Sequence, residues 1–192
     1  NGLPVKPQSS FDPALSEAVI GIGDPRIRRK IVSELPQATS YATAIHPNVV
    51  RSRWIEIGEG SILCAGTILT CNIRLGKHTH LNLVTTIGHG CTMGDFFTTA
   101  PAVNISGNCH FGNNVYCGAN ASIREKITIC DDVTIGMGAG VVKDISEPGI
   151  YVVNYINSDF GSVTIPIISG DSVYVHSKID PTMAFDVDTN VD

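Results

Sequence analysis

At 192 residues, with 16% charged side chains and a net charge of −5, the chain has room for one solenoid plus flanking pieces and carries no basic stripe for nucleic acid or an anionic membrane surface. No apolar run reaches the roughly 18 residues of a spanning helix, and no signal-peptide pattern opens the sequence. The six cysteines (Cys64, Cys71, Cys91, Cys109, Cys117 and Cys130) form no C-x2-C pair, which argues against structural zinc and suits a reducing cytoplasm.

Residues 1–44 read as part of an α/β layer. The apolar run 18–23 ends in glycine and reads as a strand. Asp24 follows as an N-cap and Pro25 as the first helical residue; 26–35 continues the helix, and Pro36 stops it. One strand–turn–helix unit cannot bury its own sheet faces and the sequence starts at Asn1, so this domain is expected to begin upstream. Gly21-Ile22-Gly23 lacks the third glycine and the acidic residue of a dinucleotide fingerprint, so it is no nucleotide site by itself.

Residues 45–146 divide into 17 consecutive hexads. Fifteen of the 17 opening residues are apolar, from Ile45 through Ile87 and Ile105 to Val141, where the overall apolar fraction of 43% would give about seven. The fifth positions are small, β-branched or thiol residues, with Phe97 the one bulky member, and seven second positions are glycine. First and fifth positions lie two apart across each hexad boundary, so on a short strand they share one inward face. A glycine at the next position marks a corner that needs a positive φ or a close backbone approach. Three strands and three corners make an 18-residue triangular coil, and five to six coils stacked at about 4.8 Å make a prism on the order of 27 Å tall.

The 18-residue period aligns Arg53, Cys71, His89, Gly107, Glu125 and Lys143 on one edge. His89 holds a third position and points outward; Gly107 follows one coil later. An imidazole can take a proton near neutral pH, and the N–H of a residue without Cβ can donate to a developing oxyanion. That pairing suits attack by an amine or hydroxyl on a thioester. A solvated corner histidine and an ordinary turn glycine fit the same spacing.

Other groups have plainer readings. Cys91 and Cys109, 18 apart at inward positions, stack on neighbouring coils, where a disulfide is geometrically conceivable and buried inert thiols are expected. His78 and His80 lack a third ligand at the 18-residue offset, where Phe96 and Thr98 stand, so no metal site is expected and both read as solvated. His110 reads as an outward strand residue; Trp54 and Phe97 read as packing residues. Arg124, Lys126 and Lys143 could meet phosphates, or be plain surface cations.

The hexads, Ile87-Gly88-His89, Val103-Asn104-Ile105-Ser106-Gly107-Asn108, Gly118-Ala119-Asn120-Ala121-Ser122-Ile123 and Ile135-Gly136-Met137-Gly138-Ala139 together resemble the hexapeptide-repeat sugar acetyltransferases. The similarity runs over about 1–150 and is greatest to the sialic-acid O-acetyltransferases and the bacillosamine-pathway UDP-4-amino-sugar N-acetyltransferases. It implies a mainly β fold, a left-handed parallel β-helix, against the usual right-handed crossover. It also implies a homotrimer, acetyl-CoA as donor, no metal, a small-molecule sugar acceptor, and active sites in grooves between subunits. Residues 1–44 then match the latter part of the family's nucleotide-sugar domain. By the same resemblance His89 is the general base and Gly107 the oxyanion and thioester contact. Asn82 and Thr98 meet the acceptor side, and Gly118, Ala119, Gly136, Ala139 and Lys143 flank the cofactor. The family often has a carboxylate directly after the base, where this chain has Gly90; Asp95 of a neighbouring subunit is a candidate replacement.

The segment 147–192 breaks the period. Alternation at 163–168 and 172–175 predicts short strands, the acidic end 186–192 reads as frayed, and capping the open end of the solenoid is the expected role. Two functional readings follow: a sugar acetyltransferase, or a non-catalytic solenoid that binds without turnover. A zinc hydrase of this shape would need a three-histidine set that the sequence lacks.

Overall fold

The computed structural model describes residue 7 and residues 10–152, 154–155, 163–169 and 171–176. Its body is a parallel β-solenoid whose strands, mostly two residues long, recur every six residues and pair at an offset of 18, as Leu69↔Ile87 and Ile87↔Ile105 do. Three faces result. The first holds Ile62–Leu63, His80–Leu81, Thr98–Thr99, Tyr116–Cys117 and Val133–Ile135. The second holds Ile68–Leu69, Thr86–Ile87, Asn104–Ile105, Ser122–Ile123 and Gly140–Val141, and the third Ile73–Leu75, Thr92–Met93, His110–Phe111 and Thr128–Ile129.

The interior is the one the hexads describe. Opening residues from Leu63 to Val141 and fifth residues from Ile73 to Ile145 are buried, Phe97 among them. Each buried aliphatic side chain contributes about 1.5–3 kcal/mol. Four of the fifth positions toward the N-terminal end, Ser61, Thr67, Thr79 and Thr85, carry hydroxyls, and each finds a partner: Ser61 Oγ donates to the Gly58 carbonyl (2.6 Å) and Thr79 Oγ1 to that of Gly76 (2.9 Å). Cys91 and Cys109 stack as free, buried thiols, and the backbone N–H of Cys109 donates to Cys91 Sγ (3.4 Å).

The corner glycines serve close approach rather than a positive φ. A Cβ on Gly76 would lie 2.5 Å from the Gly94 carbonyl carbon, so stacked corners are too near for any side chain there. The left-handed conformation falls two residues later, at every sixth residue from Gly60 to Gly138, Val84 and Phe96 included.

Several expectations are corrected. The run 18–23 forms no strand and makes only a parallel bridge, Ala18↔Tyr41. The helix does form, Pro25–Glu34, with Asp24 Oδ1 accepting from the N–H groups of Arg26 and Ile27. Its Arg28 is buried against the first face and covers His78 and His80, which are 4% and 8% exposed and not solvated. His78 stacks on Phe96 (5.0 Å) and meets Tyr41 edge-on (4.5 Å). Trp54 is 56% exposed, with the Arg53 guanidinium 4.3 Å from its ring centre, so it packs no core. His110 is exposed as expected, its Nδ1 2.8 Å from Thr92 Oγ1. The last coil is two residues short: Ile129 pairs with Ile145 and Val133 with Gly149, offsets of 16.

Beyond that coil, Val163–Ser169 pairs antiparallel with Gly149–Tyr151, Asn154–Tyr155 and Asp171–His176, which brings the first sheet to ten strands. An otherwise open strand edge is thereby covered. The acidic end 186–192 lies outside the described residues.

Candidate active site

The edge between the second and third faces carries His89 and Gly107 on adjacent coils. Strand pairing places Ile87 beside Ile105, and the N–H of Asn108 donates to the His89 carbonyl at 2.7 Å, so the two corners are locked in register. The His89 ring lies where a side chain on Gly107 would be: a Cβ there would come 2.8 Å from Nε2 and 2.9 Å from Cε1. A second glycine keeps the amide open. A Cβ on Gly88 would stand 2.6 Å from the Gly107 nitrogen. The Gly107 N–H itself has no backbone acceptor among the described residues.

The edge between the third and first faces differs. There the N–H of Lys77 is taken by Asp95 Oδ1 (2.7 Å), that of Asp95 by Asn113 Oδ1 (2.8 Å) and that of Asn113 by Asp131 Oδ1 (2.8 Å). Equivalent corner amides are thus consumed by a side-chain ladder on one edge and left available beside His89. A carbonyl oxygen placed at the Gly107 amide would gain a donor in a position that needs no rearrangement to act.

The remaining candidate residues occupy other places on the prism. Lys143 is exposed on the His89 edge, three coils beyond His89. Asn82, Gly118, Ala119 and Gly136 lie on the edge between the first and second faces, and Asn82 Oδ1 accepts from the N–H of Leu83 (2.8 Å). Ala139 is buried in the interior. Thr98 is buried on the first face, its hydroxyl 2.6 Å from Arg28 Nη2. Asp95 belongs to the ladder just described. One chain therefore brings His89 and Gly107 together and holds Asn82 and the small residues one face away.

No family model matches the chain. It is 30% identical over 109 residues to GDP-perosamine N-acetyltransferase of Escherichia coli O157:H7, covering 56% of this chain and 49% of that protein. It is 32% identical over 107 residues to UDP-3-O-acylglucosamine N-acyltransferase of Bordetella avium, covering 56% and 29%. Among solved structures, the acetyltransferase domain of PglB from Neisseria gonorrhoeae, in complex with acetyl coenzyme A, matches with a TM-score of 0.74 at 28% identity, over 79% of this chain and 77% of that one. The chain is similar in sequence and in fold to hexapeptide-repeat sugar acetyltransferases. PerB from Caulobacter crescentus, in complex with CoA and GDP-perosamine, matches with a TM-score of 0.69 at 28% identity, over 71% and 67%. The chain spans about half or less of the length of the first two curated relatives.

Within this hexapeptide-repeat chain, position 90 has a local explanation. Gly90 has a φ of +69°, and a Cβ on it would lie 2.5 Å from Asn108 Oδ1. The Asn108 side chain fills the space that a side chain directly after His89 would otherwise take, and puts an amide oxygen there. Asn108 is 18 residues beyond Gly90, so the register could have named it. Nothing in the spacing named Gly88 as the residue that uncovers the Gly107 nitrogen, since all corner glycines look alike in sequence.

Proposed function

We propose that the chain moves an acetyl group from acetyl-CoA to an amino or hydroxyl group of a sugar, nucleotide-activated or of the sialic-acid type, as part of a homotrimer. The observation that carries the reading is the His89 ring packed over Gly107, beside an amide that no other backbone group among the described residues uses. The acceptor nitrogen or oxygen attacks the thioester carbon, and His89 takes the proton it sheds. Negative charge gathers on the carbonyl oxygen at the Gly107 N–H; the C–S bond then breaks, and the CoA sulfur leaves and is protonated. A positioned base supplies about 10²–10⁴-fold and a preorganised backbone donor about 10²–10³-fold.

Two features favour assembly. Asn82, Gly118, Ala119 and Gly136 sit one face away from His89, so a groove using both sets needs the His89 edge of one chain against the small-residue edge of the next. The N-terminal piece packs on the first face, opposite the His89 edge, and in this reading it holds the acceptor. The similarity to GDP-perosamine N-acetyltransferase favours an amino sugar. Free thiols at all six cysteines suit a reducing compartment such as the cytoplasm, and among the described residues no helix is long and apolar enough to cross a membrane.

The test is His89→Ala, assayed by thiol release from acetyl-CoA with a panel of nucleotide-linked amino sugars and sialic acids. A fall in kcat of about 10²–10⁴-fold with the melting temperature unchanged is expected; full activity in the variant ends the mechanism. Gly90, without a carboxylate, favours a second reading as a non-catalytic binding solenoid. That reading requires CoA to bind with no thiol release for any acceptor.

A further inference from the structure

Arg28 has 0% of its surface exposed, an unusual place for a guanidinium. Among the described residues, its hydrogen-bond partners include no carboxylate. Nη1 donates to the carbonyls of Ile22 (2.6 Å) and Gly23 (3.2 Å) and lies 3.3 Å from His80 Nδ1. Nε donates to the His78 carbonyl (3.0 Å), and Nη2 to the Phe96 carbonyl (3.0 Å) and Thr98 Oγ1 (2.6 Å). One planar group thus ties the turn before the helix to two neighbouring coils of the first face. Burying a cation costs several kcal/mol, and a well-packed apolar side chain would serve stability as well. What an apolar side chain cannot do is fix carbonyl oxygens in three separate stretches at set positions.

The turn it fixes would otherwise be loose. Neither Gly21 nor Gly23 has any neighbour where a side chain would be, and among the described residues the run 18–23 makes one bridge, Ala18↔Tyr41, to a residue that lies outside the sheets. Beside it lies a cleft of about 380 Å³, lined by Gly23, Asp24, Pro25 and Arg26 on one wall and by Tyr116 and Thr134 of the first face on the other. The width of that cleft is set by how the turn is held. Neither His89 nor any residue assigned to the cofactor (Gly107, Gly118, Ala119, Gly136, Ala139, Lys143) is a hydrogen-bond partner of Arg28.

We infer that Arg28 is a positioning residue for the acceptor half of the reaction: it sets the affinity for the sugar while leaving acetyl-CoA binding alone. This rests on the acetyl-transfer reading, in which the N-terminal piece holds the acceptor. Arg28→Lys keeps the charge but loses the fork, and Thr98→Val removes one bond and leaves the others in place.

The experiment measures KM for acceptor and for acetyl-CoA in Arg28→Lys and Thr98→Val, CoA affinity by calorimetry, and amide exchange over 18–35. The acceptor KM is expected to rise about tenfold in Arg28→Lys and less in Thr98→Val, with KM for acetyl-CoA within about twofold of the starting protein. Exchange at 18–35 accelerates while the solenoid and CoA affinity stay unchanged. Equal rises in both KM values, or unchanged exchange at 18–35, overturn the inference. If Arg28→Lys fails to fold, Thr98→Val decides on the same readouts. If the unaltered chain transfers acetyl to no acceptor, the acetyl-transfer reading and the acceptor role both fail. The exchange data then still show whether Arg28 holds the turn.

Discussion

Gly107→Ala isolates the contact on which the proposed chemistry depends. Gly107 is not among the residues of positive φ, so alanine meets no backbone strain, and the N–H that would hold the oxyanion is retained. The added methyl group, however, falls 2.8 Å from His89 Nε2, 2.9 Å from Cε1 and 3.2 Å from Cδ2. Ordinary contact begins near 3.4 Å, so the ring must withdraw by about 0.6 Å, and it is free to do so because His89 is exposed. A displacement on the order of 1 Å at a reacting group costs about 10²-fold, so a fall of roughly 10–100-fold in kcat/KM is expected. The melting temperature should move by less than about 2 °C, since no buried contact is lost. Thiol release from acetyl-CoA measures the first quantity and calorimetry the second. Full activity in Gly107→Ala would refute the placement of the base against this residue. So would a loss of activity matched by a large loss of stability.

Other outcomes follow from the packing. Gly76→Ala forces a Cβ to within 2.5 Å of the Gly94 backbone and should cost about 1–3 kcal/mol in urea unfolding. Gly138→Asn, at a φ of +70° with open space around it, should stay within about 0.5 kcal/mol; equal costs would contradict the division of roles between the two corner positions. Burial, with the Arg28 cation beside it, holds the His80 imidazole down to about 4. Between its ordinary value near 6.5 and that point the unfolded chain binds a proton that the native chain refuses. Stability should therefore fall as pH drops through this window, and urea midpoints should show a shallower slope in His80→Gln. An unchanged slope would exclude His80 as the source. A thiol reagent added to the native chain should modify Cys64, Cys71 and Cys130 and spare Cys91, Cys109 and Cys117; rapid reaction of the latter three would contradict their inward register.

The solenoid was legible because its signal is periodic and repeated: each coil reads the same inward pattern, and no single misread hexad shifts the rest. The shared edge of His89 and Gly107 follows from counting in eighteens. What counting misses is whatever lies on the outward faces. His78 and His80 look solvated in a list of outward positions, and only the docked helix buries them. Arg28 sits in a helix where a cation ordinarily faces water, and nothing local marks it for burial. The run 18–23 has strand composition but no partner strand beside it, so propensity gave way to the contacts available. The last coil keeps apolar residues at Val141 and Ile145 in either frame, which hides the two-residue shortening from a reading of periodicity.

The fixed circuit of this solenoid makes chain length a discrete variable. Deleting six residues between His89 and Gly107 would keep every remaining strand apolar on its inner side and still carry Gly107 round to a neighbouring edge, a third of a revolution from the imidazole. Deleting eighteen beyond Gly107 would shorten the column by one layer and leave the pair in place. Only whole revolutions conserve alignment, so insertions that would be harmless in a loop here separate His89 from Gly107 while the fold survives.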